Sequence, residues 1–524
     1  MAGSAGKSTL SRLLSLRADE RPEAVAFRDG ADGRALTWRA VAAHAERWRE
    51  ALRAGEIAPR ARVGLVIAGP LEFAAAYLGC LSAGLTAAPI DPRLTRAELS
   101  TTLARLRVDV VATDDLEHTQ PGLSAWRVGI EGPERLWTTG ARPSDSAAPH
   151  PAVLLTSSGT TGRPKGIPLS EGQLLHAAGR VARHHRFGTG DRGYTPLPLF
   201  HVNAQVMGLL ATVTSGASLV LDHRFEPDEY WARVEAWRPT WLNTVPAILA
   251  SLSERGAPEV PGIRFARSAS APLPPATARR FTERTGIGVL ETYGMSEAAG
   301  QITANPLEEA LRRTGSVGLP VEVELKVGDD GEVLLRGKQI ISHYLELDED
   351  GPERTRPART ASGWLRTGDI GSLDDSGFLH LAGRADDVIN RGGEKIHPQE
   401  IENVLLTHPA VASVAVVGAP HARLGQVPAA FVTARQGHGE ALDESLRAWC
   451  AERLTRYKRP AVIEVTDALP VGPTGKILRR VLTGVCGLAP SGGVGAEPPQ
   501  NTAVRELASS KGVGVAPPEG PAAR

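Results

Sequence analysis

The chain has 524 residues, which is enough for two or more domains. Its 59 basic and 59 acidic residues cancel, so no net field favours nucleic acid or an anionic membrane as a partner. Three scattered cysteines (Cys80, Cys450 and Cys486) fit neither a disulfide framework nor a zinc site, and no apolar run is long enough to span a bilayer. We therefore expect a cytoplasmic protein that contacts no membrane.

The first hundred residues alternate helical and strand-like patterns. Val41–Ala54 and Leu71–Ala83 are predicted to be helices, and Val63–Ile67 and Val108–Ala112 are predicted to be buried strands. Strands separated by helices indicate parallel sheets with helices on their faces.

A polar segment with Pro and Gly, Glu117–Pro151, is expected to cross the surface before a short buried strand at 152–155. The next residues, 156–166, read Thr-Ser-Ser-Gly-Thr-Thr-Gly-Arg-Pro-Lys-Gly, and we expect no regular structure there. The glycines leave room for a ligand against the main chain, and the hydroxyls and the lysine suit a polyphosphate. Pro164 and Gly166 flank Lys165, so no helix begins on the lysine, which excludes a Walker A loop. The candidate nucleotide ligands of this segment are Thr156, Ser157, Ser158, Gly159, Thr160, Thr161, Gly162 and Lys165.

Helices are also predicted at Gly172–His185 and Val206–Ala211, and the alternation continues to about residue 382. Alternating polar and apolar residues around Gly-Asp-Asp-Gly at 328–331 predict a hairpin in a small antiparallel unit. The predicted fold is α/β. A large domain of helix-flanked, largely parallel β-sheets with a small β-barrel-like unit covers 1–382, a small α+β domain joined by a hinge covers 383–484, and a disordered Gly/Pro/Ala-rich tail covers 485–524.

The glycine-rich segment resembles the signature Ser/Thr-Ser-Gly-Ser/Thr-Thr-Gly-x-Pro-Lys-Gly of the adenylate-forming superfamily. That superfamily contains acyl-CoA synthetases, carrier-protein adenylation domains and luciferases. The resemblance covers about residues 10–484 and includes further segments in the family's order. These are Pro198–His201, Ser268–Leu273, Glu291–Glu297, Gly363–Asp369, Gly383–Asp387, Arg391–Ile396 and Leu469–Arg480.

The resemblance implies ATP, Mg²⁺ and CoA as the cofactors and a small-molecule carboxylic acid as the substrate. It assigns catalysis to Lys476, Thr161, Glu297 and His201, with Thr161 and Glu297 holding the metal. It places a hinge at Asp386, about which the small domain rotates between the two half-reactions. Besides the glycine-rich segment, the implied cofactor-binding residues are Ser270, Ala271, Pro272, Glu291, Thr292, Tyr293, Gly294, Met295, Ser296, Asp369, Arg384, Gly392, Gly393 and Lys395.

The sequence departs from the family at a few positions. Ala269 and Ser270 stand where glycines are usual, which narrows the expected acyl pocket. Val471 and Gly472 differ from the residues that usually precede the motif of Lys476. The residues expected to line the substrate pocket are His201, Asn203, Gln205, Asn243, Ser268 and Gly294. Since buried polar groups need partners, this lining favours a small polar or aromatic acid over a long alkyl chain.

Three functions fit the sequence. The first is an acyl-CoA ligase. The second is a stand-alone adenylating enzyme of natural-product biosynthesis, which passes its acid, including an unusual one such as nitrite, to a separate carrier protein or to an amine. The third is a nucleotide-binding protein without catalysis, which Lys476, Glu297 and Asp369 argue against. The sequence leaves the acceptor and the oligomeric state open.

Overall fold

The computed structural model describes residues 8–120, 122–137, 150–157, 165–255, 257–258, 260–347, 353–435, 442–472 and 477–488. The chain forms two compact units. The larger comprises Met1–Leu273, Thr277–Thr367 and Leu373–His380, and the smaller comprises Pro274–Ala276, Gly368–Ser372 and Leu381–Arg524.

The helices match the predicted alternation closely. They are α1 (Thr9–Glu20), α2 (Trp38–Arg53), α3 (Pro70–Ser82), α4 (Arg96–Leu106), α5 (Glu171–His184), α6 (Ala211–Ser215), α7 (Tyr230–Trp237), α8 (Pro246–Ser253), α9 (Pro275–Thr285), α10 (Pro398–Leu405), α11 (Leu442–Arg453) and α12 (Arg479–Leu488). A π-helix, Asn203–Leu210, precedes α6, where the sequence predicted one ordinary helix.

The strands are numbered in chain order. They are β1 (Val25–Asp29), β2 (Ala35–Thr37), β3 (Arg62–Val66), β4 (Thr86–Pro89), β5 (Val110–Thr113), β6 (Ser124–Gly129), β7 (Gly132–Trp137), β8 (Val153–Ser157), β9 (Lys165–Leu169), β10 (Arg192–Thr195), β11 (Ser218–Leu221), β12 (Trp241–Thr244), β13 (Phe265–Ser268), β14 (Val289–Met295), β15 (Gly300–Ala304), β16 (Leu319–Pro320), β17 (Glu324–Val327), β18 (Glu332–Arg336), β19 (His343–Glu346), β20 (Arg354–Pro357), β21 (Leu365–Leu373), β22 (Leu379–Arg384), β23 (Ile389–Arg391), β24 (Glu394–Ile396), β25 (Val411–His421), β26 (Gly425–Ala434) and β27 (Val462–Val465).

Two nine-stranded sheets form the larger unit. The first has the order β16-β15-β14-β13-β12-β10-β11-β1-β2, and its strands from β14 to β1 run parallel. The second has the order β20-β19-β9-β8-β4-β3-β5-β6-β7, with parallel strands from β8 to β6. Antiparallel strands complete the edges of both sheets. The predicted class, α/β with largely parallel sheets, is confirmed.

Helix α3 packs against both sheets. All of its residues are buried, and it contacts β1 of the first sheet as well as β3, β4 and β6 of the second. Its side chains are mainly apolar all round, and its one carboxylate, Glu72, is paired with Arg34, so the helix is stable only when it is enclosed. Gly79 lets Trp48 of α2 pack directly on this helix, because a Cβ at Gly79 would lie 2.2 Å from the indole.

The predicted hairpin at 328–331 is confirmed, since β17 and β18 pair antiparallel on either side of it. These strands belong to a four-stranded sheet of order β17-β18-β21-β22. The smaller unit contains a separate sheet of order β24-β23-β26-β25, with β27 parallel to β26. Its own apolar core includes Ile401, Val416 and Leu446.

Two predictions about the segment before the glycine-rich loop were wrong. The residues expected to cross the surface include β6 and β7, and β6 joins the second sheet beside β5 with Trp126 buried. The residues from 156 to 166 are not irregular at their ends, because Thr156 pairs with Gly166 and Ser157 with Lys165. Both strand pairings were missed because the residues are polar, and hydrogen bonding between backbones requires no apolar side chain.

Among the described helices, none combines the length and the apolar composition that crossing a membrane requires.

Candidate active site

The ends of the glycine-rich segment lie side by side in the larger unit. Strands β8 and β9 form a hairpin whose last pair is Ser157 and Lys165. The segment that joins them therefore begins and ends at one point on the sheet. Five predicted ligands lie outside the described residues: Ser158, Gly159, Thr160, Thr161 and Gly162.

A tyrosine that the sequence reasoning missed brings two predicted residues together. Strand β19 pairs with β9 so that Glu346 lies opposite Lys165, and Tyr344, two residues away on the same face of β19, contacts the lysine side chain. The Lys165 ammonium lies 5.4 Å from the centre of the Tyr344 ring, and the Tyr344 hydroxyl donates a hydrogen bond of 3.2 Å to Oε1 of Glu297. The guanidinium of Arg356 lies 5.1 Å from the same ring. A carboxylate and two cations thus surround one aromatic ring.

The Glu297 carboxylate suits magnesium. Magnesium is commonly held by one or two protein carboxylates together with substrate phosphates. Among the described residues, no three His, Cys, Asp or Glu side chains gather into a metal site of their own. Glu297, held by Tyr344 and followed by a buried turn, offers the single carboxylate that such a shared site needs.

The segment from Glu291 to Ser296 lies against the loop after β13. Ser268 is the register partner of Glu291, and the Thr292 hydroxyl donates to the Ser268 carbonyl at 3.4 Å. A bulge between Tyr293 and Gly294 shifts the register with β15. Gly294 is required by this strand pairing, because a Cβ there would lie 2.2 Å from the Gly300 carbonyl oxygen. Met295 ends β14, and Ser296 begins the short turn that carries Glu297.

Glu291 borders a cavity of about 340 Å³ that Asn305, Arg312 and Arg313 also line. Burial raises the pKa of its carboxyl group to about 8, although the Leu273 backbone N–H bonds to it. Glu291 is therefore mainly protonated at neutral pH. A protonated carboxyl group can donate as well as accept a hydrogen bond.

Ser270 adopts a conformation that glycine normally provides. Its φ is +74°, in the left-handed region that disfavours a Cβ. This explains why glycine is usual here in the resembling family. The Ser270 hydroxyl accepts a hydrogen bond of 3.1 Å from Nδ2 of Asn203, so the departure adds a polar contact. Ala271 and Pro272 continue the same loop.

The predicted pocket residues Asn203, Gln205, Asn243 and Ser268 are all buried. An arginine that the sequence reasoning missed connects two of them: Nη1 of Arg267 donates to Oδ1 of Asn203 and to Oδ1 of Asn243, both at 3.0 Å. The available signal was a charged residue inside the short buried strand Phe265–Ser268, directly before the loop.

His201 lies one turn before this cluster, since its carbonyl accepts from the Gln205 N–H at 3.2 Å. Its ring centre is 4.5 Å from that of Phe200. Burial lowers the pKa of His201 to about 4, so the imidazole is neutral at neutral pH. The buried Nε2 atom has no hydrogen-bond partner among the described residues. His201 can thus line a pocket without adding charge.

The smaller unit carries the remaining predicted residues. Asp369 and Arg384 form an ion pair of 2.9 Å, and Asp386 lies in the exposed turn Ala385–Asp387. Gly392 and Gly393, both with positive φ, form the two-residue turn between β23 and β24, and Lys395 is exposed on β24. Positive φ at both central residues is the geometry of a tight hairpin turn.

Lys476 lies outside the described residues, but the two sides of its loop are described. Val471 and Ile477 form a β-bridge, and the Leu478 N–H donates to the Pro470 carbonyl at 2.8 Å. Helix α12 begins at Arg479, whose side chain pairs with the buried carboxylate of Glu402. The ends of the lysine loop are therefore fixed within the smaller unit.

Comparison with known proteins gives a family. The "AMP-binding enzyme" family matches residues 14–345, and the "AMP-binding enzyme C-terminal domain" matches residues 400–476. The chain is similar to the sulfoacetate–CoA ligase of Cupriavidus necator, with 35% identity over 90% of this chain and 97% of the relative. It is also similar to the oxalate–CoA ligase of Arabidopsis thaliana, with 34% identity over 81% of this chain and 88% of the relative.

Among solved structures, an anthranilate CoA ligase in complex with anthranoyl-AMP aligns with a TM-score of 0.80. The identity is 27%, over 92% of this chain and 98% of that one. These likenesses extend through both units and agree with the predicted resemblance. The chain therefore belongs to the AMP-binding enzyme family, and its fold and relatives are those of an AMP-forming acid–thiol ligase.

Proposed function

We propose that this protein activates a small polar or aromatic carboxylic acid as its acyl adenylate and then transfers the acyl group to CoA. The observation that carries the proposal is the grouping of Lys165 and Glu297 around Tyr344 at the end of the glycine-rich hairpin. A lysine and a carboxylate so close to a loop of hydroxyls and glycines suit a metal-bound triphosphate.

The chemistry explains why ATP is needed. A carboxylate is a poor electrophile, because oxide is not a leaving group at neutral pH. Attack of the carboxylate on the α-phosphate of ATP forms the acyl adenylate and releases pyrophosphate. The thiol of CoA then attacks the acyl carbon, and AMP leaves. Phosphoryl transfers of this kind are catalysed mainly by positioning and by electrostatic stabilisation of charge on the phosphate oxygens.

Each of the two units supplies side chains that would bind the nucleotide or its metal ion. In the larger unit, Lys165 would neutralise phosphate charge, and Glu297 would hold magnesium with the Thr161 hydroxyl. When bound, magnesium neutralises charge on the phosphate oxygens. In the smaller unit, Asp369 would accept hydrogen bonds from the ribose hydroxyls, and Arg384 would contact ribose or phosphate. The resemblance assigns stabilisation of the attacked α-phosphate to Lys476, and thiol transfer to the segment from Gly392 to Lys395.

The nature of the acid is supported by the buried polar residues near Ser268. Asn203, Gln205 and Asn243 present amides where a fatty-acid tunnel would have apolar side chains. Relatives named for sulfoacetate, oxalate and anthranilate agree with a small polar or aromatic acid, whereas another relative is named for long-chain fatty acids, so the buried amides carry this part of the proposal.

The test is acid-dependent exchange of pyrophosphate into ATP over a panel of carboxylic acids, followed by AMP release with added CoA. We expect exchange with small polar or aromatic acids and AMP release that depends on CoA alone. AMP release that requires a carrier protein or an amine would contradict the proposed acceptor. A clear preference for long-chain acids would contradict the proposed substrate.

A further inference from the structure

Arg267 is a buried charge in the middle of the first sheet. It lies on β13, between Asn243 on β12 and Leu290 on β14. Only 2% of its surface is exposed. A guanidinium in this position has lost almost all contact with water, and burying a charge is costly unless the charge is paired.

The described residues give Arg267 only neutral partners. Nη1 donates to the amide oxygens of Asn203 and Asn243, and Nε has no hydrogen-bond partner in the part of the chain that the structure describes. Burial lowers the pKa of Arg267 to about 9, and no carboxylate in the described ranges opposes this effect. The guanidinium is still protonated at neutral pH, so its charge is uncompensated by the described residues.

Two other buried arginines of the larger unit, Arg62 and Arg180, do have a carboxylate nearby. Arg62, also 2% exposed, forms a 2.6 Å ion pair with Glu353. Arg180 is 1% exposed and donates to the carbonyl oxygens of Val321 and Gln301, with Glu322 raising its pKa against the effect of burial. Each has a carboxylate nearby. Arg267 differs from both, which indicates a role other than holding the sheet together.

The polar groups around Arg267 connect it to the exposed residue Ser270. Asn203, which accepts from Arg267, donates to the exposed Ser270 at 3.1 Å. The Ser268 hydroxyl and Oε1 of Gln205 are buried without hydrogen-bond partners among the described residues. His201 is neutral, so Arg267 is the cation of this cluster. The Ser268 hydroxyl and Nε of Arg267 are donors without partners among the described residues, and donors beside an uncompensated cation suit an anion that accepts several hydrogen bonds; Oε1 of Gln205 is an acceptor and would not contact that anion.

We propose that Arg267, with Asn203 and Asn243, binds a second anionic group on the acid, so that the preferred substrate carries a carboxylate or sulfonate besides the carboxylate that is activated. This inference rests on the proposed acid-activating function and narrows its substrate class. The planar guanidinium presents its N–H groups in a geometry that matches two oxygens of a carboxylate or a sulfonate. The reacting carboxylate stays free for ATP while the distal group neutralises Arg267.

The test uses pairs of acids that differ in the distal charge and little in size. Malonate is compared with malonamate, and sulfoacetate with methylsulfonylacetate, by pyrophosphate exchange and by mass spectrometry of the CoA thioester. We expect kcat/KM to be about 100-fold higher for at least one dianion than for its neutral partner, because the neutral acid leaves the buried guanidinium unpaired. The two pairs also identify whether the distal group is a carboxylate or a sulfonate.

Arg267→Gln should lower kcat/KM for the preferred dianion about 100-fold and change that of the neutral partner less than about threefold. Arg180→Gln is the matched control, since it also removes a buried guanidinium but lies outside the cluster. It should lower the thermal midpoint and leave the ratio of the two kcat/KM values unchanged. If Arg267→Gln fails to fold, the wild-type ratios decide the question.

The outcomes separate this inference from the proposed function. If the neutral partners or monoanionic acids such as benzoate are activated as well as both dianions, the inference is wrong and the acid-activating function stands. If Arg267→Gln lowers kcat/KM equally for both members of a pair, Arg267 does not bind the distal anionic group. If no acid in the panel supports pyrophosphate exchange, both are wrong.

Discussion

The hydroxyl of Tyr344 donates a hydrogen bond of 3.2 Å to the carboxylate of Glu297. The same ring lies 5.4 Å from the Lys165 ammonium. These residues come from three separate parts of the chain, and strand β19 brings Tyr344 to the hairpin through its pairing with β9. Tyr344 therefore positions two proposed nucleotide-binding groups, although it lies in none of the segments that resemble the family.

Replacing Tyr344 with phenylalanine should weaken binding of ATP with magnesium. The substitution removes the hydrogen bond to Glu297 and leaves the ring beside Lys165. A hydrogen bond to a charged group contributes about 1.5–3 kcal/mol, so we expect KM for ATP at limiting magnesium to rise about tenfold. Initial rates over a matrix of ATP and magnesium concentrations measure this. Tyr457→Phe, at an exposed tyrosine of the smaller unit, is the control, and equal KM values for the two variants would contradict the prediction.

The two proposed half-reactions should depend on different lysines. Lys476→Ala should abolish pyrophosphate exchange and spare thioester formation from supplied acyl adenylate. Lys395→Ala, which removes an exposed charge on β24, should do the reverse and lower thioester formation by at least about tenfold. Each variant serves as the control for the other. Equal losses of both half-reactions in either variant would count against the assignment.

Glu291 should make stability depend on pH. Its pKa of about 8 in the folded protein lies above the ordinary value of 4.5, so the folded state binds the proton more tightly than the unfolded state. Stability should therefore fall as pH rises from about 4.5 to 8, and should be level on either side. Because the residue is partly exposed, we expect a loss on the order of 2 kcal/mol.

Glu291→Gln should remove this contribution. The variant cannot ionise at this position, so its thermal midpoint should change less between pH 5 and pH 8 than that of the wild type. Thermal unfolding of both proteins at half-unit pH intervals gives the comparison. Parallel curves for the two proteins would show that Glu291 does not titrate in this range.

The buried ion pair between Glu402 and Arg479 should hold the lysine loop of the smaller unit. Glu402 also accepts a hydrogen bond of 2.8 Å from the Val416 N–H. Glu402→Ala leaves a partly buried guanidinium and a buried N–H without this partner, so we expect a loss of about 3 kcal/mol of stability and slower adenylation. Glu400→Ala removes the more exposed pair with Lys458 and should cost less than about 1 kcal/mol. Denaturant unfolding and pyrophosphate exchange measure both effects.

The sequence predicted much of the fold because buried helices and parallel strands carry strong apolar patterns. Val63–Ile67 and Leu71–Ala83 are close to the observed β3 and α3. The pattern failed where backbone pairing alone defines the structure, as between Ser157 and Lys165. It also failed for the π-helix at Asn203, since hydrogen bonds that reach one residue further along the chain leave little trace in the apolar spacing of eight residues.

The candidate site was predictable where residues lie in linear motifs, and less so where pairing between distant strands assembles it. Glu297 and Lys165 belong to recognisable segments, whereas Tyr344 reaches them only through β19. Arg267 was missed for a different reason. A buried strand of four residues gives no indication of what lies beside it, and the two asparagines that meet Arg267 are 64 and 24 positions away.

The enclosure of α3 restricts how this chain can be divided. The first sheet takes β1 and β2 from before the helix and the rest of its strands from after residue 190, while the second sheet takes its strands from the intervening residues and from β19 and β20. A fragment that kept one sheet would expose the apolar helix or lose it, so neither half should be recoverable as a folded piece. Split-enzyme reporters or shortened variants of this protein would therefore have to keep the larger unit whole.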